Sequence, residues 1–173
     1  MKLVEIYREI KKLNENIIQQ PEFITLVHDW VENPEKKTSD KLMKYKNQIP
    51  GLFRKSSELY RGMHLPIEKY EVLMSGKTIQ QDGVRSWSHD ANVAKKFLLD
   101  AKFSISSGNR VKIVVKKHIE SKNILLDVYQ YYLFISGSSD FKWDELAEDS
   151  IKTEKEVLCY DVEIRKSDII QKF

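Results

Sequence analysis

Apolar positions recur at helical spacing through the first fifty residues and shift to shorter, alternating runs afterwards. Leu3, Tyr7, Ile10, Leu13 and Ile17, with lysines and glutamates between them, predict an amphipathic helix over 3–18 that Pro21 stops. Phe23, Leu26, Val27 and Trp30 predict a second helix up to Pro34, and Leu42, Met43 and Ile49 a third, with Ser39 as its cap and Pro50 beyond it. After Gly51 the texture changes. Residues 58–65 read as a strand, and Pro66 opens a helix bearing Ile67, Tyr70 and Leu73 that Gly76 can close. A short strand over 84–88 precedes a helix that Asp90 can cap and that carries Val93, Ala94, Phe97 and Leu98. Residues 111–117 and 124–128 are β-branched and apolar, hence strand-like. The stretch 129–135 is too aromatic for either assignment. Residues 137–153, polar and turn-rich, read as one long loop, and loops of that length usually serve a function. Closing strands follow over 154–160 and 161–164. Helices first and a strand-rich body afterwards predict an α+β fold: a mixed or antiparallel sheet, with residues 1–50 as a helical extension packed on a core of 51–173.

Composition narrows the classes. With 173 residues, 41% hydrophobic and 32% charged, the chain suits one soluble globular domain with a real core. The formal charge of +3 is small and the lysines are interspersed with acids, so nothing points to a nucleic-acid partner. Glu5 and Arg8 interrupt any signal-peptide core, and no apolar run approaches the ~20 residues of a membrane helix, so the chain is expected in the cytoplasm where it is made, or exported by a route its sequence hides. The single cysteine, Cys159, excludes an internal disulfide and reads as a small buried apolar residue. His28, His64, His89 and His118 lack metal-ligand spacing, so no metal is expected. Gly76-Lys77-Thr78 resembles the end of a phosphate loop, but Glu71 stands where that loop needs glycine. Ser88-His89-Asp90 are sequence neighbours, which suits a capped turn better than a triad.

Three short constellations remain. Glu154 and Glu156 open the strand 154–160, where an extended chain puts both carboxylates on one face with about 6.6 Å of rise between them. Taken alone, they also fit a solvated strand end. Arg61 lies in an apolar strand and should meet an anion, either a protein carboxylate or a ligand phosphate. Ser86 and Ser88 share a strand face, from which their hydroxyls can orient a carboxylate or simply cap the strand end.

In order, Leu59-Tyr60-Arg61-Gly62, Ser86-Trp87-Ser88 with Val93, Ala94 and Phe97 after it, and Glu154-Lys155-Glu156-Val157-Leu158 resemble the arginine-serine-glutamate class of mono-ADP-ribosyltransferases. That class includes bacterial exotoxins and small enzymes of tailed phages. The resemblance covers roughly 56–165, and it departs at Trp87, where the class usually has threonine. It implies a split mixed or antiparallel sheet with a helical flank and NAD as co-substrate without a metal. Arg61 would hold the pyrophosphate, Gly62 would admit the nicotinamide amide to the backbone, Ser86 would brace Glu156, and Ser86 and Ser88 would line the NAD site. Glu156 would bond the ribose hydroxyl. Glu154 would prepare the acceptor, by resemblance an arginine of a target protein in a bacterial host cytoplasm, with nucleic acid not excluded. The loop 137–153 would meet that target, with Phe141 and Trp143 either contacting it or packing within the loop. Phe97 and Tyr60 fit the core better than the nicotinamide. A glycohydrolase passing the ribosyl group to water, or a binding module without turnover, are the competing readings.

Overall fold

The longest ladder in the molecule joins two ten-residue strands, β1 (Ser57–Pro66) and β4 (Arg110–Ile119), paired antiparallel from Ser57 against Ile119 to Pro66 against Arg110. Alternation sorts their side chains: Leu59, Leu65, Ile113 and Val115 are buried on one face, and Val114 is buried on the other with half-buried Tyr60 packed beside it. A computed structural model describes residues 17–81, 83–99 and 110–173. The helix expected over 3–18 falls almost wholly outside the described residues, of which Ile17–Gln19 form a short 3-10 turn.

Among the described residues two α-helices precede the sheet: α1 (Pro21–Glu32), with Pro21 in its first turn, and α2 (Lys36–Lys44). Ser39 does not cap α2. It sits inside the helix, where its buried hydroxyl accepts the Val84 amide at 3.3 Å. After β1 come α3 (Ile67–Met74), β2 (Ile79–Gln80), β3 (Arg85–Ser88) and α4 (Ala91–Leu99). Asp90 precedes α4 and accepts the Asn92 amide at 2.8 Å, as a capping residue does. β4 leads to β5 (Ile124–Asp127), then α5 (Val128–Ser138), α6 (Glu145–Glu154), β6 (Glu156–Cys159), β7 (Glu163–Ile164) and β8 (Ile169–Lys172).

Among the described residues, six strands form one sheet in the order β5-β6-β3-β1-β4-β8 with antiparallel pairing, and β2 and β7 form a separate ribbon. This is the α+β arrangement expected, with its sheet antiparallel. On the front face, α1, α2, α5 and α6 bury Phe23, Val27, Leu42, Tyr131 and Ile151 against Leu126, Leu158 and Tyr160, so the leading helices and the sheet share one core. On the same face, α4 covers β1 and β4 through Ala94 and Leu98. The back face carries α3 and the ribbon, with Leu73, Ile164, Trp87 and Val157 packed together. Among the described residues no helix is long and apolar enough to cross a membrane.

The long loop expected over 137–153 is mostly helix. Asp127 caps α5 by accepting the Gln130 amide at 3.0 Å, and Asp144 caps α6 by accepting the Ala147 amide at 2.9 Å. Only the short connection between Ser138 and Glu145 remains irregular.

Candidate functional site

β6 is buried on both faces, and its register against β3 decides which side chains meet. Ser88 faces Glu156 and Ser86 faces Leu158, so both serines and Glu156 project from the front face. Trp87 pairs with Val157 and is buried on the back face, so the residue between the serines stays out of the site.

Glu156 begins β6, but Glu154 does not lie on that strand. Glu154 is the last residue of α6, and Lys155 between them takes a left-handed conformation (φ 46°, ψ 51°) with its amide donating to Ile151 O at 3.1 Å. The two carboxylates therefore flank a helix-to-strand turn, where the alternating-strand expectation had placed them on one extended face. They still feel each other. Burial and the Glu156 charge raise the Glu154 carboxyl from its ordinary 4.5 to about 7, against the pull of Lys96 from α4.

Glu156 is 8% exposed. Burial raises its carboxyl, while hydrogen bonds from Ser86 and Trp30 and the charge of Arg61 favour ionisation. The Trp30 bond comes from α1, Nε1 to Oε1 at 3.1 Å. Sequence reasoning passed over Trp30 because it completes the apolar stripe of α1, and nothing local connects it with a residue 126 positions away. Ser88 has a different task from Ser86: its hydroxyl donates to Glu154 O at 2.6 Å and accepts the Asp90 amide at 3.0 Å, tying the turn at Glu154 to the start of α4.

β1 and β3 register at a single pair, Tyr60 against Ser88, and then part. Arg61 leaves β1 on the same side as Leu59 and Val115, and its Nη1 donates to the main-chain oxygen of Ser86 across the parting. Burial, and secondarily Arg85, lower its guanidinium to about 10, against the pull of Cys159 and Glu156, which leaves it a cation at neutral pH. Its Nε is buried with no hydrogen-bond partner among the described residues, an unmet donor that an anionic ligand could take.

Gly62 is spoken for by the fold. A Cβ there would lie 2.2 Å from Ala94 O and 2.8 Å from Leu98 Cγ, so glycine lets α4 rest on β1. Tyr60 packs with Ala94, Leu98 and Val114, as a core residue. Trp143 is 8% exposed and stacks on His28, with Phe141 edge-on to it at a centroid distance of 5.3 Å. Both rings pack between α1 and the connection before α6. Cys159 is fully buried, and burial pushes its thiol far above the usual range, which suits an inert core residue.

Ser86, Ser88, Glu154 and Glu156 thus come together at the front of β3 and β6, and Arg61 reaches the same junction from the other side of the sheet through Ser86 O, near enough for its charge to act on Glu156, while Phe141 and Trp143 belong to the helical core. No family model matches the chain, and no curated protein matches it. Among solved structures it is similar to the crystal structure of ADP-ribosyltransferase Vis in complex with M6 inhibitor, at 15% sequence identity and a TM-score of 0.49. That match covers 80% of this chain and 57% of the other, so the chain spans little more than half the length of the protein it resembles.

Proposed function

We propose that this chain is a mono-ADP-ribosyltransferase that cleaves NAD and passes ADP-ribose to an arginine side chain. The observation that carries the reading is the meeting of Arg61, Ser86, Glu156 and Glu154 at one strand junction, drawn from segments far apart in sequence. Arg61 offers a cation and an unpartnered Nε to the pyrophosphate.

The first step breaks the bond between the nicotinamide nitrogen and the ribose carbon. The bonding electrons leave with nicotinamide, and the sugar becomes an oxocarbenium cation. Glu156, held by Ser86, is the anion that such a cation requires beside its ribose hydroxyl, as in glycoside hydrolysis. One carboxylate suffices for that step. The second is needed because an arginine in water is protonated and a poor nucleophile. Glu154, with its carboxyl at about 7, can take the guanidinium proton as the nitrogen attacks the ribose carbon, since a general base works best when poised near ambient pH.

Incubating the protein with labelled NAD and agmatine tests this directly. A labelled agmatine adduct is expected, and Glu156→Ala should lose about a hundredfold or more of NAD consumption while keeping its circular dichroism spectrum. Release of nicotinamide with no adduct would replace the transferase with a glycohydrolase. Unchanged turnover in Glu156→Ala would refute the site.

A further inference from the structure

We propose that Trp30 is a positioning residue for Glu156, which makes helix α1 part of the reacting site. This rests on the transferase reading of that site. The indole N–H is a donor only, so its bond to Oε1 at 3.1 Å fixes which carboxylate oxygen faces α1, and Ser86 adds a second hydrogen bond to the same carboxylate. Trp30 is itself 4% exposed, which removes water as a competing partner for the bond.

α1 is seated firmly enough to act as a reference. Phe23, Ile24, Leu26 and Val27 are buried with Trp30 in the shared core. His28, two residues before Trp30, bonds Asp144 through Nε2 and lies 3.6 Å from Glu32 through Nδ1. Asp144 is the cap of α6, and α6 ends at Glu154. Two neighbouring residues of α1 therefore grip α6 and its continuation on either side: His28 at the cap, Trp30 just past the left-handed turn. The helix splints the segment that carries both glutamates, so the separation of the dyad is set by α1 as well as by the turn at Lys155.

The charges that act on Glu156 are Arg61 from β1 and Glu154 from the end of α6, while Cys159 of its own strand lies on the back face with its thiol held protonated by burial. None of these replaces the indole as a donor from α1. Trp30→Phe keeps an aromatic ring in place and deletes the N–H. With one donor fewer, the Glu156 carboxyl should titrate higher, and the acid limb of NAD consumption should move up by about one pH unit. The turnover number should fall about tenfold with KM for NAD changed less than about twofold, because a charged hydrogen bond is lost where charge develops.

Val27→Ala serves as the packing control. It loosens the same helix without touching Glu156, and its pH profile should match wild type. A folded Trp30→Phe with an unshifted acid limb overturns the proposal, as does a Val27→Ala variant that shifts the limb equally. If Trp30→Phe fails to fold, benzothienylalanine at position 30 replaces the N–H by sulfur in a ring of the same shape, and the same two outcomes decide.

Isotope-edited NMR titration of the Glu156 carboxyl separates this proposal from the transferase reading. Wild-type protein that leaves NAD intact removes the reaction. The titration then still reads whether Trp30 holds the carboxyl: an upward shift in Trp30→Phe supports the contact, and no shift sinks it.

Discussion

Glu154 keeps its proton up to about pH 7 because burial and the Glu156 charge both oppose ionisation. A carboxyl held above its unfolded value binds a proton more tightly in the folded protein than in the unfolded chain. Its stabilising share is complete below the ordinary carboxylate range and is lost as pH rises from 4.5 to about 7. Glu156 is raised in the same direction, so the two sites penalise the fold together in neutral and alkaline solution. Glu154→Gln removes one ionisation, and its urea midpoint should exceed wild type at pH 8 and converge with it at pH 4. The same substitution should spare NAD hydrolysis and cut transfer to agmatine by about a hundredfold, and wild-type transfer should climb with pH through about 7. Equal loss of both activities would mean that the carboxylates do not divide the work. The sequence exposed the identities of this pair and of Arg61, Ser86 and Ser88 near it. It concealed the geometry, because period-two reasoning assumes extended backbone and Lys155 is left-handed.

Elements were legible where one face is apolar and the other wet. β1, β3, β4, α3 and α4 fall close to their expected bounds for that reason. α5 was illegible because Val128, Tyr131, Tyr132 and Ile135 are buried while Tyr129 and Phe134 are half-buried, so its apolar residues form no narrow stripe. α6 was illegible for the opposite reason: only Ala147 and Ile151 are buried, a single i, i+4 contact in a polar run that reads as loop. What commits that run to helix is the Asp144 cap together with packing on α1, and the latter is a tertiary cause. Gly62 makes the complementary point about element packing. Gly62→Ala should destabilise the protein by about 2 kcal/mol or more, since backbone oxygen occupies the Cβ position and cannot rotate aside. Urea denaturation measures this, and a variant as stable as wild type would mean that α4 does not rest on β1.

At the scale of the molecule, the sheet is two three-stranded halves, β5-β6-β3 and β1-β4-β8, joined at the registered pair of Tyr60 and Ser88. Glu156 belongs to one half and Arg61 to the other, so the site spans the weakest seam of the sheet. NAD consumption should therefore fall at lower urea than the far-ultraviolet signal of the helices, by a margin that saturating NAD narrows. Coincident transitions would mean that the halves open only when everything does. The core shared between the leading helices and the sheet has a consequence for where this protein can be divided. A cut at residue 50 would pass through packed interior, leaving Leu126, Leu158 and Tyr160 facing water and Glu156 without its lid. Residues 17–50 are not an appendage that can be shed or exchanged, because they complete the interior beneath the sheet and supply the Trp30 donor to Glu156.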